Sequence, residues 1–188
     1  MAIITLNNRS INRSDTASAD QVWTATSATA SDFQAGGKLI QCVQTLYTTQ
    51  TSSSANAIDM RLETIPQNTD GAEIMTVSIT PTATDSTLLV QSLVKIGAGG
   101  DGNRGAIMLF QDTTANALDF SQEMGQSNGD MYSLHLQYKK TAGTTSSTTF
   151  KVRYAPHTGQ TIYVNRGSTK TIAGGVCTSS LWVMEIGA

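Results

Sequence analysis

Residues 74–80 read Ile-Met-Thr-Val-Ser-Ile-Thr, with Met75, Val77 and Ile79 on one parity and Ile74, Thr76, Ser78 and Thr80 on the other. An apolar face opposite a largely polar one, repeating every two residues, is what a half-buried β-strand requires. Pro81 has no N–H to give a ladder, so the strand stops there. A second apolar-rich candidate, residues 87–96, follows the connector Pro81-Thr-Ala-Thr-Asp-Ser86. This strand pair is scaffold and carries no chemistry. It commits the chain to β structure.

From Lys38 onward the same reading gives strand candidates at 38–48, 57–65, 74–80, 87–96, 104–111, 131–140, 148–154, 160–165 and 176–186. Turn-forming stretches separate them at 66–71, 97–102, 125–130, 142–143, 156–159 and 166–167. Nothing after Gly36 sustains a helical period. Thr favours strands, and Ser and Gly favour turns, so their abundance agrees. The spacing predicts an all-β, antiparallel two-sheet sandwich of jelly-roll type over residues 37–188, with an immunoglobulin-like sandwich as the alternative.

A chain of 188 residues fits one domain with an appendage and can bury a core without staples. Charged residues make up 14% and the net charge is −2, so polyanion binding is not expected. Lys and Arg are dispersed apart from Arg9/Arg13 and Lys139/Lys140, which leaves no nucleic-acid footprint. No apolar run approaches the roughly 20 residues of a membrane span. The start, MAIITLNNRS, lacks the pattern of a secretory signal, so synthesis in a cytoplasm is expected. Cys42 and Cys177 lie in apolar strand candidates and are expected as buried thiols. A disulfide is the other reading, which spacing alone cannot decide.

Residues 1–36 differ from the rest. Ile3, Ile4 and Leu6 precede the near-repeat Asn8-Arg-Ser10 and Asn12-Arg-Ser14, and Val22, Trp23 and Phe33 stand alone among Ser, Thr, Ala and Asp. A solvated tail has no need of a Trp and a Phe. The preferred reading is an extended attachment arm that orders as Ile3, Ile4, Leu6, Trp23 and Phe33 dock on a partner, with Arg9 and Arg13 pairing partner carboxylates. Gly36-Gly37 is its hinge.

Candidate chemistry is thin. Gly97-Ala-Gly-Gly-Asp-Gly-Asn-Arg-Gly105 precedes a strand-like run, not a helix, and lacks a Gly-Lys-Ser/Thr ending, so it reads as a hairpin loop and not a phosphate cradle. Asp101, Asn103 and Asp112 echo calcium-loop spacing, but Ala106 stands where such a loop needs its turn glycine. His135 lies on the polar side of residues 131–138 and His157 in a Pro-His-Thr-Gly turn; both are expected at the surface, with no metal-ligand partners at suitable spacing. The pairs Asp59/Glu63 and Asp119/Glu123 are too ordinary to serve as acid and base, and no Gly-x-Ser-x-Gly elbow occurs. No catalytic, cofactor or metal site is expected. Tyr132, Tyr138, Tyr154, Tyr163 and Trp182 are expected mainly in core and cross-strand packing. Some could instead line a carbohydrate-binding surface.

Five stretches carry a resemblance: Lys38-Leu-Ile-Gln-Cys-Val-Gln-Thr45; Val77-Ser-Ile-Thr-Pro81 with Asp85-Ser-Thr-Leu-Leu-Val90; Arg104-Gly-Ala-Ile-Met-Leu-Phe110; Thr161-Ile-Tyr-Val-Asn-Arg166; and Ser179-Ser-Leu-Trp-Val-Met-Glu-Ile186. Together, over residues 37–187, they resemble the β-sandwich module common in tailed-bacteriophage virion proteins, often labelled tail fibre or structural protein. Residues 58–71 depart from that pattern. Residues 7–15 also resemble the starts of marine and freshwater phage structural proteins. The resemblance implies a jelly-roll-like, trimeric domain displayed on a phage particle.

Three roles follow from it. A capsid decoration or cement protein would hold the major capsid protein through its arm. A tail fibre or spike knob would sit on a tail adaptor and touch a host receptor, a surface glycan among the candidates. A glycan-degrading enzyme is the third and weakest. Neither heptads nor a repeat marks a fibre shaft, so an arm joined to one module favours decoration. The expected partners are further copies of the chain and a capsid or tail protein, with neither nucleic acid nor membrane.

Overall fold

The computed structural model describes residues 3–6, 9–12, 21–25, 31–35 and 37–187, except 62, 127, 128 and 170. Four short strands come first: β1 (Ile3–Leu6), β2 (Arg9–Asn12), β3 (Gln21–Ala25) and β4 (Ser31–Ala35). Then follow β5 (Leu39–Tyr47), β6 (Thr51–Ser53), β7 (Ala72–Ile79), β8 (Thr87–Ala98) and β9 (Arg104–Gln111). The remainder is β10 (Asp119–Met124), β11 (Met131–Thr141), β12 (Thr148–Pro156), β13 (Ile162–Val164) and β14 (Ser179–Ile186). A single 3₁₀ turn, Ile172–Gly175, is the only helical element among the described residues.

The alternation in β7 is realised as expected: Met75, Val77 and Ile79 are buried while Thr76 and Ser78 are exposed. β7 belongs to a four-stranded antiparallel sheet of order β10-β9-β12-β7. β8 belongs to the other sheet, where β14 lies between it and β5, and β11 pairs along its far edge. Beyond the end of β14, β13 pairs with residues 96–98 of β8 and carries β6 on its other side. The result is a jelly-roll-like sandwich, β5-β14-β8-β11 facing β7-β12-β9-β10. The connector 80–86 therefore passes from one sheet to the other and closes no hairpin.

Leu88, Val90, Val94 and Ile96 of β8 meet Phe150 and Val152 of β12 and Ile107 and Leu109 of β9 in one core. Each such side chain stabilises the fold by roughly 1.5–3 kcal/mol. Side chains also close the two open edges of the sandwich. At one, Gln41 Nε2 donates to Thr80 O (2.8 Å) and Thr45 Oγ1 to Thr76 O (2.7 Å), joining β5 to the free side of β7. At the other, Asp119 Oδ2 accepts the Gln137 amide (2.9 Å), joining β10 to β11. Covered edges resist pairing with foreign strands.

Four expectations need correction. Residues 57–65 form no strand; Ile58 and Phe120 instead lie over Met108, Phe110 and Ala155 on the outer side of β9 and β12. The apolar residues there serve as a cover, and Asn56 at φ 49° turns the chain into it. β6 and β10 were not anticipated: one is three residues long, and the other, Asp-Phe-Ser-Gln-Glu-Met, is a polar edge strand with little apolar signal. The loop at 97–105 crosses between sheets and is not a hairpin. Two of its glycines answer to the residues flanking β13, because a Cβ on Gly97 would lie 2.1 Å from Arg166 O, and one on Gly99 2.4 Å from Thr161 O. Lastly, both thiols are free, but only Cys177 is buried; Cys42 is exposed because it shares the outward parity of β5 with Gln44 and Leu46.

The arm's described pieces are extended backbone folded into two hairpins. β1 pairs with β2, with Ile3 opposite Asn12 and Leu6 opposite Arg9. β3 pairs with β4, with Trp23 opposite Phe33. Neither hairpin joins a sheet of the sandwich.

Candidate functional site

Among the residues expected to dock, Ile3, Ile4 and Leu6 fall on β1, Arg9 on β2, Trp23 on β3 and Phe33 on β4. Arg13 lies outside the described residues. The register brings Trp23 and Phe33 together, and it places Arg9 across from Leu6. That pairing was not legible in the sequence, since residues 24–32, nearly all Ser, Thr and Ala, could loop in many ways.

The sandwich presents a second surface, the outer side of β5, β14, β8 and β11. Trp182 stands between Gln44 of β5 and Gln91 of β8, and Gln137 of β11 lies beside Gln91. One step along, Ser180 lies between Leu46 and Leu93, with His135 next. A hollow of about 260 Å³ opens here, lined by Trp182, Gln91, Gln137, His135 and Ser180. Trp182 is 37% exposed, so it stands outside the core, with a cross-strand neighbour on either side. His135 is exposed, as expected. The other aromatics pack: Tyr154 is buried, and Tyr132 and Tyr138 lie against the core. Tyr163 lies under the Arg166 guanidinium, 5.3 Å from its ring centre.

His157 departs from expectation, for it is buried. Its Nδ1 accepts the Met60 amide (3.2 Å) and its Nε2 lies 3.0 Å from Arg61 Nη2. Asp59 Oδ1 is 3.6 Å from Nδ1. The Arg61 backbone N–H, helped by the Arg61 charge, holds the Asp59 carboxyl below its ordinary range against the opposing pull of burial. The cluster pins the segment near residue 60 over the four-stranded sheet. A Pro-His-Thr-Gly turn reads as surface when the segment that will cover it lies about a hundred residues upstream.

Two residues of the calcium-like spacing, and the buried Glu185, bind backbone and side-chain groups of the fold. Asn103 donates to Thr161 O (3.2 Å), and Asp112 accepts the Thr149 amide (2.8 Å), so the calcium-like spacing is spent on turns. Among the described residues, no three His, Cys, Asp or Glu side chains gather as a metal site. Glu185 has no accessible surface. Its Oε1 accepts the Thr82 amide (2.8 Å) and hydroxyl (2.7 Å), and its Oε2 accepts Gln41 Nε2 (2.6 Å). Burial pulls its pKa up, but these bonds and one from Ser86 outweigh it and hold the group at about 2. This carboxylate latches the connector 80–86 onto β14 and β5.

No protein-family model and no curated protein matches the chain. Among solved structures it is similar to an Eiger TNF from S. frugiperda, at 7% identity over 78% of this chain and 93% of that one, with a TM-score of 0.41. It is similar to infectious bursal disease virus, Gt strain, at 12% identity over 88% of this chain and 42% of that one, TM-score 0.39. The sugar-binding EclA C-terminal domain is also similar, at 12% identity over 62% of this chain and 73% of that one, TM-score 0.34.

Proposed function

We propose that the chain is a non-enzymatic structural protein of a bacteriophage virion, a homotrimeric capsid decoration protein anchored to the major capsid protein by residues 1–36. The observation that carries this reading is the pairing of the arm. Its described strands pair only with one another, so the sandwich is complete without them. A lone two-stranded hairpin is marginal in water and needs a surface to pack on. An arm that orders on its partner spreads few residues over a large area. The sandwich then stands outward as the displayed part.

The test is removal of residues 1–35. The truncated chain is expected to fold with the circular dichroism and cooperative melting of the sandwich, yet to be absent from purified particles. Normal incorporation of the truncation would refute arm anchoring.

A second reading, a tail knob that touches a host glycan, is favoured by one feature, the exposed Trp182 between Gln44 and Gln91. An aromatic face flanked by amides suits a sugar ring and its hydroxyls.

A further inference from the structure

Strands wetted on one side alternate apolar and polar residues, whereas strands covered on both sides read as nearly continuous apolar runs. β14 contains the unbroken run Leu-Trp-Val-Met at 181–184, and β8 contains Leu-Leu-Val at 88–90 and Leu-Val at 93–94. Half of each run fills the core, with Leu181, Val183, Leu88, Val90 and Val94 buried. The other half, Trp182, Met184, Leu89 and Leu93, is on the outer side, where β5 adds Cys42 and Leu46. Leu46 is 54% exposed. β11, by contrast, alternates cleanly, with Ser133, His135, Gln137 and Lys139 outward. The apolar surface thus has an edge at β11 and a centre on β14.

We propose that this outer face of β5, β14 and β8 is the contact surface between copies of this chain. It rests on the oligomer in the proposed function and names the surface that the oligomer uses. The outward positions from 42 to 46, 180 to 184 and 89 to 93 hold Cys, Gln, Leu, Ser, Trp and Met but no charge. Depletion of charge with enrichment of Trp and Met is the composition of an interface centre. Around a threefold axis one part of this face meets a different part of the next copy's, so no like charges oppose each other and Gln44 of one copy can pair amide to amide with Gln91 of the next. A charged partner would find nothing to pair with. A sugar would use Trp182 and the glutamines but leave Leu46, Leu89, Leu93 and Met184 in contact with hydroxyls or water. Three strands about 4.8 Å apart and about eight residues long give the face a projected area of roughly 400 Å². That is about half of the ~800 Å² per partner of a specific interface, before the relief of its side chains is counted.

The experiment uses the intact chain. Light scattering at micromolar concentration is expected to give a multiple of the protomer mass. Trp182→Glu and Leu46→Glu, at exposed positions, are each expected to shift it to the protomer mass with an unchanged circular dichroism spectrum. Cys42 needs no mutation to report on the face, because it is exposed in the protomer while Cys177 is buried. Maleimide is expected to label Cys42 at least ~10-fold more slowly in the assembled chain than in Trp182→Glu, since thiol modification follows access. An assembled chain whose Cys42 labels freely, and which both variants leave assembled, overturns this face but keeps the oligomer. A wild-type monomer overturns both, and if it also binds polysaccharide through Trp182, the face belongs to a sugar.

Discussion

Asn165, just past β13, ties β5 and β14 together through its buried side chain and reaches β8 through its backbone amide. Its Nδ2 donates to Tyr47 O (2.7 Å) and Thr49 O (3.2 Å) at the end of β5, and its Oδ1 accepts the Ser179 hydroxyl (2.8 Å) at the start of β14. Its own amide donates to Lys95 O in β8 (2.9 Å). It does this at φ 59°, a left-handed conformation that Asn tolerates better than most residues. Asn165→Ala is expected to cost about 1–3 kcal/mol, because three groups, the buried Ser179 hydroxyl among them, lose a partner at once; urea unfolding measures it, and a loss near zero would remove the junction. Glu185 is the other residue-scale anchor. Its folded pKa of about 2 lies below the ordinary 4.5, so its stabilisation is fully present above pH 4.5 and is lost as pH falls towards 2. Glu185→Gln is expected to cost about 1–3 kcal/mol at neutral pH, as a donor amide replaces an acceptor opposite Gln41. The gap from wild type should close below pH 4, and melting curves across that range check the sign.

At the scale of elements, the strands rich in apolar residues were legible and the short or polar ones were not. β5, β7, β8, β9, β11, β12, β13 and β14 fall where apolar-rich runs bounded by turn residues predict them, because each must send at least one apolar face to the core. β10 was missed since an edge strand can be polar, and 57–65 was misread because apolar residues that cover a sheet's outer side look like those that fill its core. No local signal tells whether a turn closes a hairpin or carries the chain to the facing sheet, hence the misreading of 97–105. In the arm, isolated apolar residues are plain in the sequence, but the register that sets Trp23 opposite Phe33 is not. The consecutive apolar residues of β14 are the sequence's one mark of the apolar outer face.

At the scale of the whole molecule, the edges closed by Gln41, Thr45 and Asp119 keep the sandwich from open-ended strand pairing. Under the proposed function, association then falls to the uncharged outer face and attachment to the arm, and the protein fills a symmetric surface lattice in fixed proportion to a capsid partner. Counting copies per purified particle by quantitative mass spectrometry tests this most directly. The expected result is on the order of hundreds of copies, in constant ratio to the major capsid protein, as repetition over a closed lattice requires. Absence from the particle would contradict it outright, and only a few dozen copies would move the protein from the capsid surface to the tail.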